Sequence, residues 1–392
     1  MLKSLGLTIL SLLPLSVCAS DFDDVLNTIV GNSIAMKYGD ADRQASISEM
    51  KAGNTLEAPE ISYENLWGAK GIGDKRNFSV SQSFDWPGIY MARREAIKKS
   101  ETAMQFLRES ELLDVRMEVR LLLIDIIYAK QRLQSTKEIC DGMAELSSTF
   151  KKAMEEGNET RLDYNKAVIE RITSERELKA IEGEYAVLVS SLKALNGGAD
   201  VNALIERLGD DYPMVDLSTL RPDAEKLRLN DPSQAAAAAS LEAQKSLVKV
   251  ENRSLMPGFT LGYIHEWEMG DNFNGFSVSM TLPFLTGKKK VTAAKQRVKA
   301  MEIEKEMSLI KLLGELDGEY ENACALQSLI KEYDGVVHDN SNIALLKKAL
   351  DGGQINFLTY MQEVNYFLAA HRDYHETLYR YNVSLARLQR YN

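Results

Sequence analysis

"ISYENLWGAKGIGDKRNFSVSQSFDWPG", Ile61 to Gly88, interrupts a chain that otherwise reads as charged helix, and "FTLGYIHEWEMGDNFNGFSVSMTLPF", Phe259 to Phe284, interrupts it once more. Late in the first stretch Phe78, Val80 and Phe84 alternate with Ser79, Ser81 and Ser83. In the second, Phe276, Val278, Met280 and Leu282 alternate with Ser277, Ser279 and Thr281. Side chains alternate between the faces of a strand, so each run gives one greasy face and one lined by small hydroxyls. Ile61, Tyr63 and Trp67, then Phe259, Leu261, Tyr263 and Trp267, supply matching apolar rows. These patterns predict β-hairpins over 57–86 and 257–284. A lone hairpin of this kind reads equally well as half-buried soluble sheet.

The hairpins belong to a repeat. Pro59 and Pro257, like Ser79 and Ser277, stand the same 198 residues apart; "GNETRLDY" (Gly157–Tyr164) and "GQINFLTY" (Gly353–Tyr360) match in Gly, Leu and Tyr at a spacing of 196. Ordered recurrence of proline, strands, long helix and Gly turn marks a duplicated unit. The first repeat covers 20–195, with a helix, the hairpin 57–86, a long helix 88–156 and a helix 160–195. An irregular connector, 196–222, is rich in Gly and Pro. The second repeat covers 223–392, with a helix 231–255, the hairpin 257–284, a long helix 288–351 and a helix 356–391. Leu112, Val115, Val119, Leu122 and Ile126, and Leu309, Leu313, Leu316, Tyr320 and Ala323, advance by alternating threes and fours, the spacing of coiled-coil helices. At 1.5 Å per residue the proline-free long helix would reach about 100 Å.

With 45% hydrophobic and 27% charged residues and only 8 prolines, the 392-residue chain is neither disordered nor collagen-like. Met1-Leu2-Lys3, the apolar run Leu5–Leu15 and Val17-Cys18-Ala19 read as an export signal, 1–19. Cys18 leaves a lipidated start open, although Val17 stands where such sites want a small residue. Removing Lys3 takes the net charge from −10 to −11, which argues against nucleic acid as partner. Cys140 and Cys324 lack a framework spacing and read as unpaired thiols. No later segment is apolar enough for a membrane helix, so any crossing of a membrane falls to the strands. At about 10 residues they suit that span, and aromatics near their ends suit an interfacial girdle. Four strands cannot close a barrel around a polar lumen, and lipid does not tolerate open edges. Several chains would have to share one barrel.

The fold class is thus mainly α with a small β part: long coiled-coil helices plus two β-hairpins in a duplicated unit. The chain here resembles the outer membrane efflux protein family, the TolC-like exit ducts of Gram-negative bacteria. The resemblance lies in "DPSQAAAAASLEAQKSLVKVENRSLMPGFTLGY" (Asp231–Tyr263), in "VSMTLPFLTGKKK", and in "GGQINFLTYMQEVNYFLAAHRDYHETLYRYNVSLARL" (Gly352–Leu388). It implies a homotrimer with a 12-stranded outer-membrane β-barrel, four strands per chain, and an α-helical barrel in the periplasm. It implies passive export, with a periplasmic adaptor (membrane fusion) protein, an inner-membrane pump and outer-membrane lipids as partners, and no cofactor.

By the same resemblance the periplasmic tip, where adaptors dock and the tunnel closes, is Gly157, Asn158, Thr160, Arg161, Leu162, Asp163 and Tyr164 with Gly352, Gly353, Gln354, Asn356, Leu358, Thr359 and Tyr360. Helix capping competes with gating at these positions, and Phe357 and Thr359 replace the charges of Arg161 and Asp163 in the second repeat. The lipid-facing strand residues are Tyr63, Trp67, Phe78, Val80, Phe84, Leu261, Tyr263, Trp267, Phe276, Val278, Met280 and Leu282. No enzyme reading survives. His371 and His375 share a helix face, but neither a zinc-protease pattern nor a complete ligand set accompanies them. Gly71-Ile72-Gly73 and Gly287-Lys288-Lys289 lack the remaining residues of nucleotide-binding loops. The alternative reading is a periplasmic coiled-coil scaffold or adaptor with soluble hairpins.

Overall fold

The computed structural model describes residues 17–69, 71, 73–285, 287–337 and 341–391. Most of the expected export signal lies outside the described residues. In chain order the elements are α1 (Val17–Asn32), α2 (Ile34–Ala52), β1 (Glu60–Trp67), β2 (Asp74–Phe84), α3 (Pro87–Glu155), α4 (Arg161–Leu195), α5 (Asn202–Leu208), α6 (Ala224–Asn230), α7 (Pro232–Arg253), β3 (Gly258–Glu268), β4 (Asp271–Thr281), α8 (Lys288–Val337), α9 (Ser341–Asp351) and α10 (Phe357–Gln389). Short 3₁₀ turns cover Leu217–Leu220 and Pro283–Leu285.

The chain forms two compact units, and neither is one of the sequence repeats. A helical unit takes the described chain up to Ile34, Leu113–Pro222 and Gly314 onward; a sheet unit takes Ala35–Leu112 and Asp223–Leu313. Each draws on both halves of the chain, and α3 and α8 contribute one part to either unit.

In the helical unit the core joins Phe22, Val25, Leu26 and Ile29 of α1 to Val119, Leu123, Ile124, Ile126 and Ile127 of α3, with Leu192 of α4 and Ala386 of α10. Val119 and Ile126 of the heptad series are wholly buried, and Val115 and Leu122 lie against the same cluster. In the second series Leu316 and Ala323 are buried. The connector is less irregular than its glycines and prolines predict. Val201, Ile205 and Leu208 enter this core, and burial of that stripe holds α5 in place although Val201 offers no side-chain cap. Cys140 and Cys324 are free thiols.

In the sheet unit Asp231 caps α7 by accepting from the backbone N–H of Ser233 (3.0 Å) and Gln234 (3.1 Å), with Pro232 in the first turn where its missing N–H costs nothing. Asp223 does the same for α6, a helix the sequence pattern does not announce. Asp40 on α2 meets Arg108 of α3 at 2.6 Å and Arg43 at 2.6 Å, and these bonds hold its carboxyl well below the ordinary carboxylate range. The four strands form one antiparallel sheet in the order β1-β2-β3-β4, so β2 and β3 join hairpins from different halves of the chain.

Candidate functional site

The register settles which strand residues share a face. Ile61 stands opposite Val80, Val80 opposite Tyr263, and Tyr263 opposite Phe276; Tyr63, Phe78, His265 and Asn274 form the next row toward the hairpin turns. Phe84, Phe259 and Met280 form a row near the opposite end. Of the strand residues expected to face lipid, all that lie within the strands therefore share one face, joined by Ile61 and Phe259; Leu282 follows the end of β4. The other face carries Ser62 bonded to Ser79 (2.7 Å) and Ser83 bonded to Thr260 (2.9 Å). It also carries Lys75 paired with Glu266 and, at 3.5 Å, with Glu268. Those charges on the hydroxyl face were not singled out in the sequence, because the alternation of Phe and Ser fades toward the turns.

Among the described residues both faces stay largely open, with Trp86 packing on Phe259 at one end. Gly262 is the only buried strand residue among those described, and it is buried by the sheet itself: an added Cβ would stand 2.5 Å from Ser277 Oγ. Phe276 is 88% exposed and Val278 72% exposed. β1 and β4 each have a strand on one side only, leaving two open edges. The chain segments leading to α2, α3, α7 and α8 all leave from the end of the sheet opposite the hairpin turns, as the pairings of Glu60 with Ser81 and Gly258 with Thr281 require.

The two Gly-marked turns of the helical unit have the same geometry. After α3, Asn158 N–H bonds Ala153 O (2.8 Å) and Gly157 N–H bonds Met154 O (3.1 Å), with Gly157 at φ 78°. After α9, Gln354 N–H bonds Ala349 O (2.8 Å) and Gly353 N–H bonds Leu350 O (2.9 Å), with Gly353 at φ 68°. Both are Schellman ends, in which glycine takes the left-handed backbone that other residues resist. Three residues on, Thr160 and Asn356 cap α4 and α10, accepting from Asp163 N–H (3.1 Å) and Thr359 N–H (2.9 Å).

Below the turns Met143, Phe150, Ala167, Phe357, Tyr360 and Met361 form a small core, with Tyr164 against it. Leu162 and Leu358, by contrast, are exposed at 63% and 54%. Asp163 is already engaged: Thr160 Oγ1 donates to it at 2.5 Å and Lys166 at 3.0 Å, and these bonds lower its carboxyl below the ordinary value. Arg161 is exposed, as are Asn158, Gly352 and Gln354.

One polar feature of the helical unit escapes sequence reading because its members come from three separate segments. Asp125 on α3 accepts a hydrogen bond from Tyr379 Oη of α10 at 2.8 Å, and Tyr379 stacks on Tyr128 with centroids 4.4 Å apart. Burial raises the Asp125 carboxyl above its ordinary range, and burial likewise raises the Tyr379 and Tyr212 hydroxyls. Among the described residues no group of three or more His, Cys, Asp or Glu is placed to hold a metal ion, and no helix is long and apolar enough to cross a membrane.

No family model matches the chain, and no curated protein sequence does. Solved structures do. A membrane protein from Pseudomonas aeruginosa superposes with TM-score 0.78 at 15% identity, over 95% of this chain and 90% of its own. The CmeC outer membrane channel of Campylobacter jejuni superposes with TM-score 0.76 at 15% identity, over 94% of this chain and 85% of its own. The open state of the Neisseria gonorrhoeae MtrE outer membrane channel gives 0.70 at 13% identity, over 94% and 88%. The chain has the fold of outer-membrane channels, helices and four-stranded sheet together, which is the TolC-like fold.

Proposed function

We propose that this chain is one subunit of an outer-membrane exit duct, a passive conduit through which a tripartite efflux or secretion system discharges its cargo. The observation that carries the reading is the sheet: one exposed apolar face, one exposed hydroxyl and charged face, and two open edges. In water the apolar face would drive aggregation. In lipid the unpaired edges would be prohibitive unless β4 of one copy paired with β1 of the next. A ring of copies removes both costs, with hydrocarbon outside and a wet lumen inside. Three copies of four strands give a barrel of 12, and the fold likeness supports that number.

In this reading the helices are periplasmic, a periplasmic adaptor and an inner-membrane pump are the partners, and the turns at Gly157 and Gly353 form the adaptor-docking and gating end. The geometry favours exposed Leu162, Leu358 and Arg161 as contact residues there. Asp163, bonded within its own helix start, serves the cap. The test is fractionation. Recovery in the outer membrane as an SDS-resistant, heat-labile trimer that conducts in planar bilayers is expected, whereas a wash-soluble monomer with no conductance would overturn the proposal.

A further inference from the structure

The β3–β4 connection has two central residues, Met269 and Gly270, at φ 52° and 96°. Two successive positive values are the signature of a type I′ turn, whose first position suits Asn or Gly. Methionine there is strained, and such strain persists where a side chain is wanted in place. Beside this turn lies a cavity of about 290 Å³, lined by Tyr63, Asp74, Arg76, Trp267, Glu268 and Met269. Tyr63, Asp74, Arg76 and Trp267 belong to the same face as the apolar rows, and Arg76 stands opposite Trp267 in the register.

The site is braced. The Trp267 ring meets His265 edge-on with centroids 3.9 Å apart, His265 Nδ1 bonds Asn274 Oδ1, and Tyr263 Oη donates to the same oxygen at 2.7 Å. Arg76 is exposed and makes no ion pair among the described residues, so its planar fork of donors is open to a ligand. Aromatic faces take the C–H faces of a sugar ring, a guanidinium takes phosphate, and the Asp74 carboxylate accepts from hydroxyls. The Asp74 carboxylate on the same face as this one arginine disfavours a bare anion, whereas Glu268 pairs with Lys75 on the other face. Asp74 favours a ligand that carries hydroxyl or amino donors next to its phosphate. Because the cavity continues the face bearing Val80, Phe276 and Val278, acyl chains attached to such a headgroup would lie along those rows.

We infer that this cavity binds the phosphorylated sugar headgroup of an outer-leaflet glycolipid; the inference rests on the outer-membrane reading above. It is tested with full-length protein purified in detergent and titrated in mixed micelles with a diphosphorylated glucosamine-disaccharide glycolipid. Phosphatidylglycerol and free glucosamine 1-phosphate run in parallel, with retention read by native mass spectrometry. The expected result is glycolipid held at least about tenfold tighter than either comparator, with Arg76→Gln and Trp267→Leu each weakening it by about tenfold, the scale of one charge-assisted contact.

Equal retention by Arg76→Gln, or equal affinity for phosphatidylglycerol, would overturn the site; equal affinity for glucosamine 1-phosphate would overturn its lipid source. Should Trp267→Leu fail to fold, the exposed Arg76→Gln decides alone. The micelle titration does not depend on location in the cell, so failure of the parent protein to fractionate with the outer membrane would sink the duct reading without touching this result.

Discussion

Replacing Tyr379 by Phe removes one hydroxyl and leaves the ring stacked on Tyr128. The hydroxyl donates to Asp125 at 2.8 Å, and Asp125 is half-buried. A hydrogen bond to a charged acceptor is worth about 1.5–3 kcal/mol, and a neutral one about 0.5–1.5 kcal/mol. At pH 7 Tyr379→Phe should therefore cost about 1.5–3 kcal/mol in denaturant unfolding followed by helical circular dichroism, with the midpoint lowered and the slope unchanged. In an Asp125→Asn background the same change should cost only about 0.5–1.5 kcal/mol. The pH dependence has a definite sign. Burial raises the Asp125 carboxyl above its ordinary 3.8, so its contribution is fully present below that value and is lost as pH rises through the raised folded value. Over that window the parent protein gains stability on acidification from this group, and Asp125→Asn does not. A cost under about 0.5 kcal/mol at pH 7, or the same cost in both backgrounds, would refute a charged and buried acceptor.

Phe276→Arg places a charge on the most exposed apolar strand position and should cost about 2–4 kcal/mol in membrane insertion, read as loss of the heat-labile trimer, while Ser277→Ala on the opposite face leaves it intact. Thr160→Ala and Asn356→Ala should each cost about 1 kcal/mol and speed amide exchange in the first turns of α4 and α10, with no change elsewhere. Gly197→Ala should destabilise by more than Gly198→Ala. Both have positive φ, at 69° and 84°, but only at Gly197 would the new Cβ stand 2.8 Å from the Asn32 carbonyl oxygen; thermal melts of the two variants make the comparison.

Local chemistry was legible in the chain itself. The Phe/Ser and Val/Ser alternation named the apolar face residue by residue, because a period of two is fixed by strand geometry alone. Gly157 and Gly353 marked turns, because a glycine helix end acts within a few residues. What stayed hidden was whatever joins segments far apart. The pairing of β2 with β3, the assembly of each compact unit from both repeats, and the meeting of Asp125 with Tyr379 depend on packing free energies that no local pattern encodes. Alternation alone fits a soluble sheet as well as a membrane one. The tertiary structure decided that, among the described residues, both faces stay largely open, since coverage depends on where the other elements lie.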